Sequence, residues 1–318
     1  MEGYLDMTTM QAIQINRYGG VDELVQAEIA RPEPTADQVL IKVHAIGINP
    51  VDYKVRSGMI AFFDEQAFPV ALGWDVAGTI AAVGSNVSQW KLGDEVYGMV
   101  NFPTPSGAYA EYVVAPALEV AAKPKSLSFA EAAAVPLVAL TAWQAFDLVG
   151  LQAGDRVLVH AAAGGVGHVA VQLAKLRGAH VIATASARNE GFVRELGVDQ
   201  FVDYTAAPFE QQIEPVDVVF DTVGGEVQAR SYAVLKPQAG LVTIVGSPPA
   251  DLAAAHAGKS LNHLVQANQA QLTEIANLID SQKLRVEVEQ VYDFTAMAAA
   301  HERMQSSRVR GKIVVKVS

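Results

Sequence analysis

The feature that most constrains this chain is a glycine-rich turn between a predicted strand and a predicted helix. The strand RVLVHA covers residues 156–161, and the helix GVGHVAVQLAKLRG starts at residue 165. Against the spacing G-x-G-x-x-G the turn has Ala162, Gly164 and Gly167, so that alanine replaces the first glycine. Small residues allow the backbone to approach a pyrophosphate, and the helix N-terminus supplies amide donors. The turn therefore predicts a dinucleotide-binding loop formed by Ala163, Gly164, Gly165, Val166 and Gly167.

Strands and helices alternate after this loop. The runs HVIATA, QFVDY, VDVVFDTVG and LVTIVG are strand-like, whereas NEGFVRELG and EVQARSYAVLK have helical spacing. Such alternation predicts a parallel, doubly wound sheet of the Rossmann type. Ligands bind at the carboxyl ends of the strands in sheets of this kind. Four further residues are therefore predicted to contact the cofactor: Asp221, Val223, Gly246 and Ser247.

The end of the second strand of this series, HVIATA, indicates which cofactor binds. An NAD site usually has an acid here that accepts a hydrogen bond from the ribose 2′-hydroxyl. This chain has Ser186 instead, and no acid occurs between Gly164 and Glu190. Arg188 follows, and Tyr204 stands at the end of the next strand. Because a guanidinium offers paired donors to a 2′-phosphate, the pattern favours NADP(H), although an exposed arginine on an ordinary loop would give the same sequence.

The remainder of the chain differs from this alternating region. The first 125 residues contain short β-like runs separated by proline and glycine, which predict a compact, β-barrel-like domain with small helices. From Ser128, a capping box with Glu131 and helical spacing predict one helix over SFAEAAAVPLVALTAWQAF. The C-terminal part contains the predicted helices QLTEIANLIDSQKL and MAAAHERMQSS and the predicted strand GKIVVKV. A length of 318 residues fits two domains.

Composition excludes several classes of protein. The chain has no cysteine, which excludes disulfides and cysteine-ligated zinc. The formal net charge of −11 argues against nucleic-acid binding. No apolar run approaches the roughly 18 residues that a membrane span requires. The first residues, MEGYLDMTTM, hold two acids and no basic residue, unlike a signal or transit peptide. We therefore expect a cytoplasmic protein with a short tail over residues 1–9.

Several segments resemble, in the expected order, the medium-chain dehydrogenase/reductase superfamily. The run AAAGGVGHVAVQLAKLRGAHVIATAS resembles the superfamily's cofactor loop. Similarity to its quinone oxidoreductase branch is carried by INPVDYKVRSG (48–58), ALGWDVAGTIAAVG (71–84), LGDEVYG (92–98), GAYAEYVV (107–114) and GKIVV (311–315). The resemblance spans Met10 to Ser318. It implies an α/β protein in which a discontinuous, GroES-like, β-rich catalytic domain (1–127 and 268–318) encloses a Rossmann NADP-binding domain (128–267).

The resemblance also implies which residues act on the reacting side. Asn49, Asp52 and Tyr53 lie in a segment that resembles the family's nicotinamide-facing edge. Tyr53 would bond the acceptor's oxygen or relay a proton; the alternatives are that Tyr53 packs beneath the loop and that Asp52 only orders it. Thr141 matches a residue on the nicotinamide side, or is a helical threonine without that role. Arg310 either adds charge to the phosphate site or is solvated.

The resemblance argues against a metal ion. Zinc alcohol dehydrogenases of the superfamily carry a cysteine and a Gly-His-Glu motif where this chain has NPVDYK and Gly73-Trp74-Asp75. The lobe that holds structural zinc is replaced by a short NFPTPSG linker. Zinc polarises the oxygen of an alcohol or aldehyde, whereas quinones and conjugated enones accept hydride without that help. The implied activity is a zinc-free, NADPH-dependent reduction of a quinone or enone. Trp74 either walls the acceptor site or belongs to the core.

Other functions stay open at this point. A zinc-free alcohol dehydrogenase or an enoyl reductase would use the same scaffold, and some relatives of this branch are structural or regulatory proteins that retain an NADPH site. Turnover of a simple quinone distinguishes an enzyme from such a binding protein. Family resemblance, together with the strand LVTIVG and the possible edge segment SLNHLVQAN, also predicts a homodimer, because an exposed edge strand can pair with a second copy.

Overall fold

The structure, a computed structural model, describes residues 9–317. The tail predicted over residues 1–9 lies outside the described residues except for Thr9, which begins the first strand. Contacts divide the chain into two compact units. The first unit comprises the chain up to Leu137, Ala267–Gln282 and the residues from Val286 onwards. The second unit comprises Val138–Gln266 and Lys283–Arg285.

The regular elements of residues 9–317 follow in chain order. The strands are β1 (Thr9–Ile15), β2 (Val25–Ala30), β3 (Gln38–Ile48), β4 (Val70–Ala71), β5 (Asp75–Val83), β6 (Glu95–Met99), β7 (Tyr112–Pro116), β8 (Val120–Ala122), β9 (Arg156–Val159), β10 (His180–Ala185), β11 (Gln200–Asp203), β12 (Val216–Asp221), β13 (Leu235–Thr243), β14 (Lys259–Asn262), β15 (Val288–Asp293) and β16 (Lys312–Lys316). The α-helices are α1 (Pro50–Arg56), α2 (Phe129–Ala133), α3 (Pro136–Val149), α4 (Gly165–Leu176), α5 (Glu190–Glu195), α6 (Gly225–Ser231), α7 (Ala250–Ala255), α8 (Gln269–Asp280) and α9 (Met297–Gln305).

The first unit is built mainly from antiparallel strands. Its larger sheet has the order β15-β16-β3-β5-β6-β8, with β7 also paired to β3, and its smaller sheet has the order β2-β1-β4. The long strand β3 is the scaffold, because β5, β7 and β16 all pair with it. Strand β16 comes after the second unit in the chain and places Ile313 opposite Ile48 of β3. The predicted discontinuous, β-rich GroES-like fold is therefore present.

The second unit contains one parallel sheet with the order β11-β10-β9-β12-β13-β14. The chain order reverses between β9 and β12, which is the arrangement of a doubly wound Rossmann sheet. Apolar strand residues such as Leu158, Ile182 and Val219 form its buried core. Strand β14 pairs with β13 and ends the sheet. The predicted parallel sheet is confirmed, and no helix in residues 9–317 has the length and apolar character that crossing a membrane requires.

The helix predicted from Ser128 is interrupted. Ser128 caps α2 as predicted, because the Glu131 amide donates to Ser128 Oγ at 3.3 Å and the Ser128 amide donates to the Glu131 carboxylate at 2.9 Å. Helix α2 ends at Ala133 and α3 begins at Pro136, since proline has no N–H for the interior of a continuous helix. The Phe129 ring stacks on His44 of β3. Residues up to Leu137 therefore belong to the first unit, and the predicted boundary at 127/128 was wrong.

Two further predictions need correction in the C-terminal half. The helix predicted over EVQARSYAVLK stops at Ser231, and β13 already begins at Leu235. The predicted return to the first domain at residue 268 is also interrupted, because Lys283–Arg285 belongs to the second unit. Here Gln172 Nε2 donates to the Arg285 carbonyl at 2.9 Å and the Arg285 amide donates to Gln172 Oε1 at 3.0 Å.

Candidate active site

The glycine-rich loop of the second unit connects β9 to α4. Ala161 adopts a left-handed conformation with φ of 48°. Its carbonyl accepts the Gly164 amide at 2.9 Å, which closes a tight turn just before the helix. A Cβ at Gly167 would lie 2.2 Å from that same carbonyl oxygen, so only glycine fits there. The loop therefore presents a half-exposed helix N-terminus whose backbone donors suit an anion such as a pyrophosphate.

The residues of this loop differ in accessibility. Gly164, Gly165 and Val166 are half-buried, whereas Ala163 and Gly167 are buried. The exposed backbone of the first three is thus the part that can contact a ligand. Ala163 and Gly167 shape the turn from inside.

The predicted 2′-phosphate residues lie at the carboxyl ends of two neighbouring strands. Ala185 of β10 is in register with Asp203 of β11, so Ser186 and Tyr204 are the next residue on each strand. Tyr204 is exposed, as is Arg188 in the short turn that follows Ser186. Asp203, which directly precedes Tyr204, was missed because an acid was sought only at the end of the second strand. Its carboxylate accepts from the Thr205 hydroxyl at 2.6 Å and amide at 2.9 Å, which lower its pKa.

Asp221, predicted to contact the cofactor, instead orders the turn after β12. Its side chain is fully buried. The carboxylate accepts from the Val223 amide at 2.9 Å, the Gly224 amide at 3.0 Å, Gln228 Nε2 at 3.0 Å and Thr243 Oγ1 at 2.8 Å. Both carboxylate oxygens are therefore used within the protein, and the prediction that this strand end contacts the cofactor stays a prediction for its backbone.

Five other predicted cofactor residues are placed differently. Val223 and Ser247 are exposed in the loops that follow β12 and β13, and Gly246 has φ of 71°. Thr141 is buried within α3. Arg310 belongs to the first unit, where its amide donates to Glu289 at 3.0 Å in the turn before β16. Their roles toward a cofactor stay predictions.

The predicted catalytic segment of the first unit forms the start of α1. Asn49 caps this helix, and the Asp52 carboxylate accepts the Asn49 amide at 2.9 Å in a capping box. Asn49 and Asp52 are fully buried, whereas Tyr53 is half-exposed. The Tyr53 hydroxyl makes no hydrogen bond within residues 9–317, so it is the member of the segment that can reach a small molecule.

Asn49 belongs to a buried polar cluster that the sequence reasoning missed. Asn49 Nδ2 donates to Asp75 at 2.9 Å, and Lys312 Nζ donates to Asn49 Oδ1 and, at 2.9 Å, to the Ile48 carbonyl. The Lys312 ammonium lies 3.6 Å from the Asp75 carboxylate, which also accepts the Leu137 amide at 2.9 Å. Burial raises the pKa of Asp75 to about 6, and the Lys312 charge opposes that rise.

Asp52 joins a second set of buried groups. Tyr109 donates its hydroxyl to Asp52 at 2.8 Å, and the same hydroxyl lies 2.9 Å from His301 Nε2. Burial raises the pKa of Asp52 to about 7 and lowers that of His301 to about 3. Asp52 is therefore held from beneath by Tyr109 and does not face solvent. This geometry supports the alternative in which Asp52 orders the segment.

Trp74 lies in the core, which decides between its two interpretations. Its side chain is fully buried, its Nε1 donates to the Thr104 carbonyl at 2.9 Å, and its ring packs against Phe62 and Phe102. Trp74 thus anchors the turn that leads to Asp75.

Two family models match the chain in keeping with this geometry. One, described as alcohol dehydrogenase GroES-like domain, covers residues 35–125, and the other, described as zinc-binding dehydrogenase, covers residues 196–315. A solved quinone oxidoreductase from Coxiella burnetii is 37% identical, with a TM-score of 0.93 over 98% of this chain and 100% of that chain.

Two curated relatives are similar over nearly the whole chain. A quinone-oxidoreductase homolog from spinach (Spinacia oleracea), chloroplastic, is 35% identical over 96% of this chain and 98% of its own length. An NADPH-dependent alkenal/one oxidoreductase from Arabidopsis thaliana, also chloroplastic, is 36% identical over 96% of this chain and 79% of its own length. The chain therefore belongs to the medium-chain dehydrogenase/reductase superfamily, in its quinone oxidoreductase branch.

The residues at the family's metal motif do not fit zinc. Asn49 and Asp75 are bonded to each other, and the Lys312 ammonium lies against both. A buried positive charge in that place repels a dication. In residues 9–317, no group of three or more His, Asp or Glu side chains is arranged to hold a metal ion.

Proposed function

We propose that the chain is an oxidoreductase that transfers hydride from NADPH to a quinone or an α,β-unsaturated carbonyl compound, without a metal ion. The observation that carries the proposal is the Lys312–Asn49–Asp75 cluster at the metal-motif position. In the zinc alcohol dehydrogenases of this superfamily the metal is the Lewis acid at the alcohol oxygen, whereas an electron-poor acceptor takes up hydride without that help. The relatives' printed names, quinone and alkenal/one oxidoreductase, support the same acceptor class.

The second unit supplies the cofactor site in this proposal. The amides of Gly164, Gly165 and Val166 would hold the pyrophosphate, because the left-handed turn at Ala161 leaves room for it and a side chain at Gly167 would close that turn. The bound nicotinamide supplies the hydride. The protein then contributes by orienting the cofactor and the acceptor and by excluding water from the site.

NADPH is favoured over NADH by the strand end at Ser186. A serine does not repel a phosphate as an aspartate would, and Arg188 adds a positive charge two residues further on. Asp203 is the competing feature, because a carboxylate can accept from a ribose 2′-hydroxyl. Both hydrogen bonds from Thr205 go to the same oxygen, Oδ1, so Asp203 still competes for the ribose, and the preference for NADPH rests on Ser186 and Arg188.

Arg188→Ala tests this assignment. Charge-assisted hydrogen bonds contribute about 1.5–3 kcal/mol, so NADPH binding should weaken by roughly ten- to a hundredfold while NADH binding changes little. Ser186→Asp should reverse the preference by repelling the phosphate. Arg194→Ala is the matched control, because Arg194 pairs with Glu190 on the following helix. If the wild-type chain prefers NADH, the proposed phosphate site is wrong and Asp203 binds the ribose 2′-hydroxyl instead.

Tyr53 is the residue proposed to contact the acceptor. Its half-exposed hydroxyl would donate to the acceptor's carbonyl oxygen as negative charge develops there. Asn49 and Asp52 are buried and therefore act as positioning residues for α1 and do not contact the acceptor.

A screen of NADPH oxidation with quinones, enones, enoyl thioesters and aldehydes tests the reaction class. Turnover with quinones or enones, and none of simple alcohols with NADP, is the expected result. Exclusive turnover of enoyl thioesters would assign an enoyl reductase. Tight NADPH binding without turnover of any acceptor would assign a binding protein.

Two coarser properties complete the proposal. A homodimer would form through β14, because this strand ends the parallel sheet and an edge strand can pair with a second copy. A monomer mass by light scattering at micromolar concentration would contradict it. We keep the cytoplasm as the proposed location, although both curated relatives are chloroplastic, and imaging of the tagged full chain decides between them.

A further inference from the structure

A buried histidine lies at the junction of the segments that form the proposed cofactor site. His160 follows β9 and directly precedes the glycine-rich loop. Its ring contacts Thr184 of β10 through Nδ1 at 3.1 Å and Ser231 of α6 through Nε2 at 2.9 Å. Its carbonyl accepts the Thr222 hydroxyl, in the turn after β12, at 2.8 Å. One residue thus bonds to the strand before Ser186, the turn after β12 and helix α6.

The hydrogen bonds of the His160 ring run in one direction. Ser231 donates its hydroxyl to the Val227 carbonyl at 2.7 Å, so the Ser231 oxygen must accept from His160 Nε2–H. The Nδ1 atom is then an acceptor, and the Thr184 hydroxyl donates to it. The Thr184 oxygen in turn accepts the Ala161 amide at 3.3 Å. Burial lowers the pKa of His160 to about 4, which keeps the ring neutral at physiological pH.

The series of hydrogen bonds from Ser231 through His160 and Thr184 ends at Ala161, which is the strained residue of the loop. Ala161 has φ of 48°, a conformation that costs a residue with a Cβ roughly 1–2 kcal/mol. Thr184 contacts both amides at this point, because its carbonyl also accepts the Ala162 amide at 2.9 Å. The Ala161 carbonyl closes onto Gly164 and limits Gly167 to a hydrogen. The orientation of Ala161 therefore sets the direction of the loop's donors.

We propose that Ser231, His160 and Thr184 form a positioning chain that fixes the glycine-rich loop for the cofactor's pyrophosphate and couples it to α6. The inference rests on the proposed function only in that the loop binds a nicotinamide dinucleotide. Within this hydrogen-bonded series His160 does not touch the cofactor. It transmits the position of Ser231 to Ala161 through Thr184.

A double-mutant cycle on cofactor binding tests the chain. Ser231→Ala removes the acceptor of His160 Nε2–H, and Thr184→Val removes the donor to Nδ1 together with the bond to Ala161. Each variant should weaken NADPH binding, measured by fluorescence quenching, by about three- to tenfold, since one net hydrogen bond has that size. The double variant should bind no more weakly than Thr184→Val, because the chain is already broken.

Three comparisons separate positioning from a general loss of structure. Thr184→Ser keeps the hydroxyl and should restore wild-type binding. Ser260→Ala, which removes a hydroxyl bonded to Tyr232 in the same unit, should leave binding unchanged. With turnover, the KM for NADPH should rise in Ser231→Ala while kcat stays near the wild-type value.

The outcomes distinguish this inference from the proposed function. A wild-type chain that binds neither NADPH nor NADH overturns both. Two results with a wild type that binds cofactor would make His160 an ordinary core histidine. In the first, Ser231→Ala leaves binding unchanged. In the second, the loss of affinity in the double variant equals the product of the two single losses. If Thr184→Val does not fold, Ser231→Ala measured against Ser260→Ala decides the question alone.

Discussion

Lys312→Met should destabilise the first unit, and the loss should grow with pH. The ammonium lies 3.6 Å from the Asp75 carboxylate and both groups are buried. At an effective dielectric constant of about 20, Coulomb's law gives an attraction of about 5 kcal/mol at that distance. Breaking one side of a buried pair typically costs about 3–5 kcal/mol. The expected loss at pH 8 is therefore roughly 3 kcal/mol or more.

The pH dependence follows from the pKa of Asp75. In the wild type, burial raises the pKa of Asp75 to about 6, and the charge of Lys312 limits this rise. Removal of Lys312 therefore raises the pKa of Asp75 further. A carboxyl group with a raised folded-state pKa loses stability as pH rises through the interval between its unfolded and folded values. Above about pH 6 the wild-type Asp75 is ionised, whereas the variant still takes up a proton on folding. The difference should therefore widen by up to about 1.4 kcal/mol per pH unit.

Urea unfolding at pH 5.5 and pH 8, followed by tryptophan fluorescence, measures the effect, because two of the three tryptophans, Trp74 and Trp90, lie in the first unit. Lys236→Met is the control, because Lys236 pairs with Asp217 at the surface and should cost less than about 1 kcal/mol at either pH. Adding Asp75→Asn to Lys312→Met should recover most of the loss, since the Asn49 amide can rotate to accept from the new amide. Equal losses at both pH values, or no recovery in the double variant, would refute the reasoning.

Three other outcomes are expected. Gly167→Ala should abolish binding of both NADPH and NADH, because the new Cβ would lie 2.2 Å from the Ala161 carbonyl oxygen. In the control Gly191→Ala the Cβ meets no atom within 4 Å, so this variant should bind both cofactors normally. Titration of each variant with both cofactors checks this. Tyr53→Phe should lower kcat about 100-fold if the hydroxyl donates a proton, and Tyr292→Phe, which loses only a surface bond, should not; an unchanged rate would reassign Tyr53 to packing. Elemental analysis should find far less than one zinc per chain, and stoichiometric zinc lost together with activity on chelation would overturn the metal-free proposal.

The fold of the second unit could be predicted because its signals are local. Apolar strand runs such as 156–161 and the glycine-rich loop are contiguous in sequence, and their order alone implies a parallel sheet. The predictions failed where a local break competed with a longer pattern. Helical spacing continues across Pro136, yet the missing N–H ends one helix and starts another.

The site was less predictable because its decisive contacts join distant residues. Lys312 is one residue of a β-like run, and nothing in that run shows that its ammonium meets Asn49 and Asp75. Asp221 was predicted at a ligand-binding edge, which is correct for its backbone position. Its side chain turns inward because the amides of Val223 and Gly224 need an acceptor, a demand that strand patterns do not reveal.

The pairing of β16 with β3 affects the order in which the two units can fold during synthesis. Ile48 and Lys312 are 264 residues apart in the chain. A ribosome that adds roughly 5–20 residues per second needs about 13–50 seconds to cover that interval. During this time the second unit emerges almost complete, whereas β3 lacks one neighbour and Asp75 lacks its cation. The nascent first unit is therefore the part of the chain that most needs shelter from aggregation until translation reaches its final strand.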